Sequence, residues 1–267
     1  MITPSSAQYD VVWEDLRLGE QPYPIAVRSQ GRTMQERALI RNRVYGELTA
    51  RRLAEGPRVH PDLAQTLTLL ASAPTSVDMV WSPDRHASTV HNVLAVAAGD
   101  QGLLAELTGD GLRLTRVAGP GIVMALLGLL PAVPAAPGQS IAVPTEALAP
   151  SGEHAVPDQD SIYHPTGPRG TATAQQVRAL QALFARPRLR GGQIVVNVRG
   201  RHGRRHRSRP LEWFDTEDGR CLAQTGDGAD GRQHLLVAPA DNARIAARVH
   251  EMLAVLGASA GSVPPFG

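Results

Sequence analysis

An α+β fold is predicted by three features of the 267-residue sequence. One order of elements, α-β-β-β-β-α, occurs twice. Within each set the strands follow one another across short turns, which gives antiparallel meanders and not parallel crossovers. The tetrapeptide Thr-Gly-Asp-Gly stands at 108–111 and again at 225–228, 117 residues on, each time between the third and fourth strands. Gly and Asp are what such turns require, so the tetrapeptide alone says little. Agreement of the whole order carries the prediction: a single domain over 1–267, with an internal pseudo-repeat at 61–130 and 174–256.

Each element has a local reason. Tyr9, Val12, Trp13 and Leu16 recur at i, i+3, i+4 and i+7, so Ser6–Arg17 is predicted as an amphipathic helix ending near Gly19. Pro22 to Val27 holds two prolines, which cannot donate to a ladder, and is predicted as extended chain on a sheet edge. A helix follows from about Thr33 to Glu55, stopped by Gly56-Pro57, and its many charges read as a solvated face. The first set is a helix, Asp62–Ala71, then strands Val77–Trp81, Val90–Ala97, Leu103–Leu107 and Leu112–Val117, then a helix, Ile122–Leu130. The second is a helix, Ala174–Phe184, then strands Ile194–Val198, Leu211–Phe214, Cys221–Gln224 and His234–Ala238, then a helix, Asn242–Leu256. The 117-residue offset lays Val77–Trp81 on Ile194–Val198 and Leu103–Leu107 on Arg220–Gln224. Residues 131–173, rich in Pro, Gly, Ala and Ser, form the linker. Ile141–Val143 is read as strand-like and Ser151–Gly170 as a mobile loop.

Composition removes several classes of chemistry. All 27 basic residues are arginine. Without lysine there is no Schiff base, no Ser–Lys dyad and no phosphate-loop Gly-Lys-Ser/Thr. The single cysteine, Cys221, cannot form an intrachain disulfide or a multi-cysteine metal site. The first ten residues lack a signal-peptide pattern. Prolines and glycines break the uncharged stretch from Val117 to Ala136, which falls short of the ~20 continuous apolar residues a bilayer needs. A cytoplasmic protein is expected.

No constellation of catalytic residues stands out. Gly257-Ala-Ser259-Ala-Gly261 matches the nucleophile-elbow pattern, but follows a helix and has no acid or histidine after it. His202 and His206 have zinc-pair spacing inside a run of arginines that would repel a dication. Asp227-Gly-Ala-Asp230-Gly lacks the glutamate that closes a calcium loop. No enzyme, metal or cofactor is expected.

The strongest anomaly is Arg199–Arg209, with six arginines, two histidines and no acid. Without these six, 21 basic residues face 25 acidic ones, so the net +2 becomes −4 for the rest of the chain. Three readings are open: a solvated hairpin loop, an arm that steers an acidic protein partner, or a nucleic-acid contact. The last lacks aromatic residues interleaved for base stacking.

Three segments carry a resemblance. They are Leu16-Arg-Leu-Gly-Glu-Gln-Pro-Tyr-Pro-Ile25, Arg209-Pro-Leu-Glu-Trp-Phe-Asp-Thr-Glu-Asp-Gly-Arg220, and Val237-Ala-Pro-Ala-Asp241 before the last helix. In these, and in their order from about Ser6 to Leu256, the sequence resembles the EspG family, chaperones associated with ESX (type VII) secretion. The resemblance implies a quasi-two-fold fold with a central antiparallel sheet and helices packed on one side. It implies a cytosolic, non-enzymatic role: binding the helical tip of a PPE-type or PE/PPE-like secretion substrate, masking its apolar residues and keeping it soluble before export. A nucleic-acid-binding accessory protein acting through Arg199–Arg209 is the alternative.

Masking such a tip needs a concave or sheet-like apolar surface with a polar rim. The residues expected to supply it are Trp81 with the loop Asp84, Arg85 and His86, the matching loop around Arg201, Arg204 and Arg205, and Met252 and Leu253 on the last helix. Trp213 and Phe214 are expected to be buried anchors of their hairpin. The sequence departs from better-known members in a short loop after Trp81, an arginine-rich second loop, and Cys221 where many relatives carry an aromatic residue.

Overall fold

The structure, a computed structural model, describes residues 1–148, 169–200 and 203–261. The expected loop over Ser151–Gly170 lies almost wholly outside the described residues, and so does Arg201. Helix α1 (Ser6–Asp15) begins at a capping box in which the Ser5 hydroxyl accepts from the Gln8 N–H and the Gln8 side chain accepts from the Ser5 N–H. Helix α2 (Met34–Ala50) starts at Thr33 and stops short of Glu55. Arg52 is left-handed at φ 57°, and Leu53 N–H bonds Leu48 O at 2.8 Å, which turns Leu53 back toward the core. The residues beyond form a small hairpin, β1 (Ala54–Glu55) with β2 (Arg58–Val59), across Gly56-Pro57.

The charges of α2 are not all solvated, contrary to expectation. Arg37, 8% exposed, pairs with Asp10 and Glu14 of α1, and Arg41 reaches Asp15 at 2.8 Å. These contacts clamp the first two helices together. Pro22–Val27 also departs from expectation. It is a turn off the sheet, with Ile25 N–H on Pro22 O at 3.1 Å and Ile25 fully buried among the first helices. Burying the isoleucine satisfies this segment without a ladder that its prolines could not complete.

After α3 (Pro61–Ser72) come β3 (Thr75–Ser82), β4 (His91–Ala98), β5 (Gln101–Thr108), β6 (Gly111–Ala118), α4 (Ile122–Leu127) and β7 (Ile141–Pro144). Then follow α5 (Arg169–Phe184), β8 (Arg190–Arg199), β9 (Arg205–Arg207), β10 (Leu211–Thr216), β11 (Gly219–Asp227), β12 (Gln233–Pro239) and α6 (Asn242–Gly261). The strands make one ten-stranded antiparallel sheet in the order β6-β5-β4-β3-β8-β10-β11-β12-β7, with β9 pairing on β8. The central pair joins β3 to β8, Thr75 opposite Val198 and Ser82 opposite Gly191. At one sheet edge Ile2 and Ser5 bridge to Leu114 and Gly111 of β6; at the other lies the four-residue β7.

Alternation along the strands gives the sheet two apolar faces. On the first, Val77, Met79, Trp81, Ile194, Val196, Leu211, Trp213 and Leu222 form one core with α4 and α6. On the second there are two separate cores. Leu94, Val96, Leu103, Ala105, Leu112 and Leu114 pack under α1–α3, while Phe214, Cys221, Ala223, Val237 and Val143 pack under α5. The sheet and the α4/α6 layer on one side agree with the expected architecture, and α1–α3 and α5 add two flanks on the other.

Candidate functional site

The two flanks on the second face leave the central strands between them. On this face lie Asp78, Val80 and Ser82 of β3, Gly191, Gln193, Val195 and Asn197 of β8, and Glu212 of β10; Asp78, Val195 and Asn197 are buried, so the strip is open only at the Val80, Ser82, Gly191, Gln193 and Glu212 end. Val80, Ser82 and Gln193 are half-exposed and Glu212 is exposed. A cavity of about 360 Å³ opens at one end of this trough, lined by Val80, Ser82, Val90, Arg188, Gln193 and Phe214 over the backbone of Gly191 and Gly192. Val90 is 53% exposed, and Arg188 lies 4.7 Å over the Phe214 ring. This end is apolar.

The glycine pair sets the floor. A Cβ on Gly191 would stand 2.9 Å from Trp213 O, and one on Gly192 would stand 2.5 Å from the Trp81 Cβ. Gly192 faces the first side, between Trp81 and Trp213, and its bare backbone lets the two indoles approach to 6.0 Å between ring centroids.

The other end of the trough is polar and basic. Asp78 is buried; it accepts from the Asn197 amide and pairs with Arg207 at 3.2 Å. Burial raises its carboxyl above the usual carboxylate value, against the opposing pull of Arg207 and Asn197. The Arg207 guanidinium also lies 5.8 Å over the ring of Tyr23, which is exposed. Arg205 and Arg207 project on this same face, because they pair with Arg199 and Asn197.

The residues expected to form one surface are not brought together. Trp81, 7% exposed, is part of the first-face core, stacked on His91 at 4.5 Å. Asp84, Arg85 and His86 form an exposed turn at the apolar end, where Asp84 accepts from the His86 N–H at 2.7 Å and the Arg85 N–H bonds Leu189 O. Arg204 and Arg205 lie at the opposite end: β3 and β8 are antiparallel, so the loops that leave them point away from each other. The rows at Gly192 and Arg199 are about 23 Å apart at the ~3.3 Å strand rise. Met252 is buried with its sulfur on the Gln224 amide at 3.5 Å, and Leu253 is half-buried beside it, both against the first face.

The comparisons with known proteins bear on this geometry. The sequence matches the EspG family over residues 5–251. The chain belongs to the EspG family. It is similar in structure to the Mycobacterium tuberculosis type VII secretion system chaperone EspG5, solved in complex with a PE25-PPE41 dimer, with a TM-score of 0.69, 12% identity and 96% of each chain covered. Among curated protein sequences none matches it.

In this EspG-family chain the most specific segment is structural. Trp213 and Phe214 are both buried, and the Thr216 hydroxyl bonds Gly219 O across the turn. Asp215 and Arg220 form a buried pair at 2.7 Å, with Arg220 4.6 Å over the Trp213 ring. Arg220 also donates to Asn242 at the start of α6 and to Pro131 O after α4. The trough residues Asp78, Val80 and Gln193 were missed by sequence reasoning, while Arg207 belongs to the basic run it singled out. Asp78, a charge amid the apolar Val77–Trp81 strand, was their visible signal.

Proposed function

We propose that this EspG-family protein is a cytosolic, non-enzymatic chaperone of type VII secretion, which receives the apolar helical tip of a PPE-type client in the central trough and holds it soluble before export. The observation that carries this reading is the strip of sheet left open between the helical flanks, where the apolar Val80 and Val90 stand among Arg188, Gln193 and Glu212. EspG5, with which it shares its fold, was solved with a PE25-PPE41 dimer. An apolar strip of this size fits a modest, reversible interface, as a client that must be handed on requires. Holding needs no bond chemistry, and among the described residues no group of three or more His, Cys, Asp or Glu could hold a metal. Asp84, Arg85 and His86 are proposed as the rim at the apolar end, Arg204 and Arg205 as the rim at the other. Trp81, Met252 and Leu253 support the sheet from behind.

Co-expression with the PE–PPE pairs encoded by the same genome tests this. A stable soluble complex with at least one pair is expected, weakened at least about tenfold by Val80→Glu, which places a charge in the apolar end. Absence of any complex with the unmodified chain would overturn the proposal.

The internal repeat is proposed as the origin of this symmetric trough. Outward from the β3–β8 pair the strands run β4-β5-β6 on one side and β10-β11-β12 on the other, with β7 added beyond β12 out of chain order. The β3–β8 register is compatible with laying Val77 on Ile194 without fixing an offset, and from that start Ala95 and Leu211 set Leu104 level with Gln224, 120 residues on. Loop lengths differ between the halves, so one offset cannot serve every strand.

A further inference from the structure

We infer that the trough reads charge as well as apolar surface, and that its client carries acidic residues about 9 to 13 helical positions back from the apolar tip. This rests on the chaperone reading above.

The six arginines of Arg199–Arg209 divide by position. Arg199 donates to Ala71 O, Arg207 to Asp78 and Arg209 to Asp227. Arg204 and Arg205 make no ion pair with any described residue and are exposed. Two unpaired arginines beside a half-exposed Arg207 are a contact for one or two carboxylates. Arg199, Arg207 and Arg209 are already held within the fold, and the run contains no aromatic residue to stack a base. The arm therefore fits an acidic protein surface.

Geometry then fixes where the acid must lie. The open row is at Val80 and Gln193, with Val80 its apolar contact; Arg207 stands level with Asn197 and Arg205 with Arg199. Four to six residues along β8 span about 13 to 20 Å. A helix whose end packs on Val80 and whose body passes over Arg207, which covers the buried Asp78, spans that distance in about 9 to 13 residues at ~1.5 Å each. Glu212, exposed opposite Gln193, repels an acid placed at the tip itself, so the trough disfavours the reversed arrangement.

Two helical-hairpin probes test the inference, alike in a leucine-bearing tip and differing only in glutamates or lysines at those back positions. With the full chain, the glutamate probe should bind at least about tenfold tighter at ~50 mM salt, and less so at ~300 mM. The double variant Arg204→Glu, Arg205→Glu should abolish that preference, while Val80→Glu weakens both probes. Equal binding of the two probes, or a preference that survives the arginine reversals, would overturn the inference; so would a DNA duplex competing the glutamate probe off through the same arginines. The PE–PPE co-expression separates the two proposals. If a pair co-purifies equally with the double variant at both salts, the charge reading fails and the chaperone reading stands. If no pair co-purifies with the unmodified chain, both fall.

Discussion

Arg220 is fully buried, yet it is an arginine, and its partners explain why the chain tolerates it. Asp215 takes two of its N–H groups, Asn242 and Pro131 O take others, and the Trp213 ring covers its face. Arg220→Ala would leave Asp215 buried with only Arg190, 3.4 Å away, and should cost about 3–5 kcal/mol in urea unfolding. The pair Asp215→Leu, Arg220→Met should recover much of that loss, because a matched apolar pair carries no desolvation penalty. Asp78 makes the opposite case. Its raised carboxyl means the folded chain holds that proton more tightly than the unfolded chain. Its contribution to stability is therefore present below the ordinary carboxylate value, falls as pH rises through the raised one, and stays low at neutral pH. Asp78→Asn should lose that slope and melt at or above the parent at pH 7 (thermal melts from pH 4 to 7 would show it). Roles of this kind were only partly legible in the sequence. The segment around Trp213 was readable as an anchor, but nothing in linear spacing marks Asp215 and Arg220 as partners across a two-residue turn. Asp78 announces itself as a charge in an apolar strand, while its counter-ion lies 129 positions away.

Elements were more legible than contacts. Short apolar runs between turn residues placed all eight meander strands, because most are covered on both faces and so read as near-continuous apolar segments. What the pattern could not supply was strand ends, short pieces such as β1, β2 and β9, or the early stop of α2, which is set by one left-handed arginine. Nor could it tell which loops share a sheet end, since that follows from the antiparallel sense of β3 and β8. Gly192 tests the element scale. Gly192→Ala would press a methyl group against Trp81 Cβ and Val80 O between two fixed strands, and should destabilise the fold by about 1–3 kcal/mol in the same urea measurement. Because Gly192 faces away from the trough, client affinity per folded molecule should change little.

At the scale of the whole molecule, the β3–β8 pair binds the halves, and the first-face core draws side chains from both. Residues 1–130 expressed alone should aggregate, exposing the eight-residue edge of β3 and an uncovered apolar face. Co-expression with residues 131–267 should return a soluble one-to-one complex by size-exclusion chromatography. The outer edges of the sheet are guarded differently. Ile2 and Ser5 occupy the Gly111–Leu114 half of the rim of β6, and the rim of β7 is four residues long and ends in Pro144, which has no N–H to give. Main-chain hydrogen bonding, the grip that captures extended chain of almost any sequence, is thus scarcely on offer at either rim. With only such short edges to offer, the fold favours recognition by side chains on an already folded surface, the mode of a selective escort over that of a general trap for unfolded polypeptide.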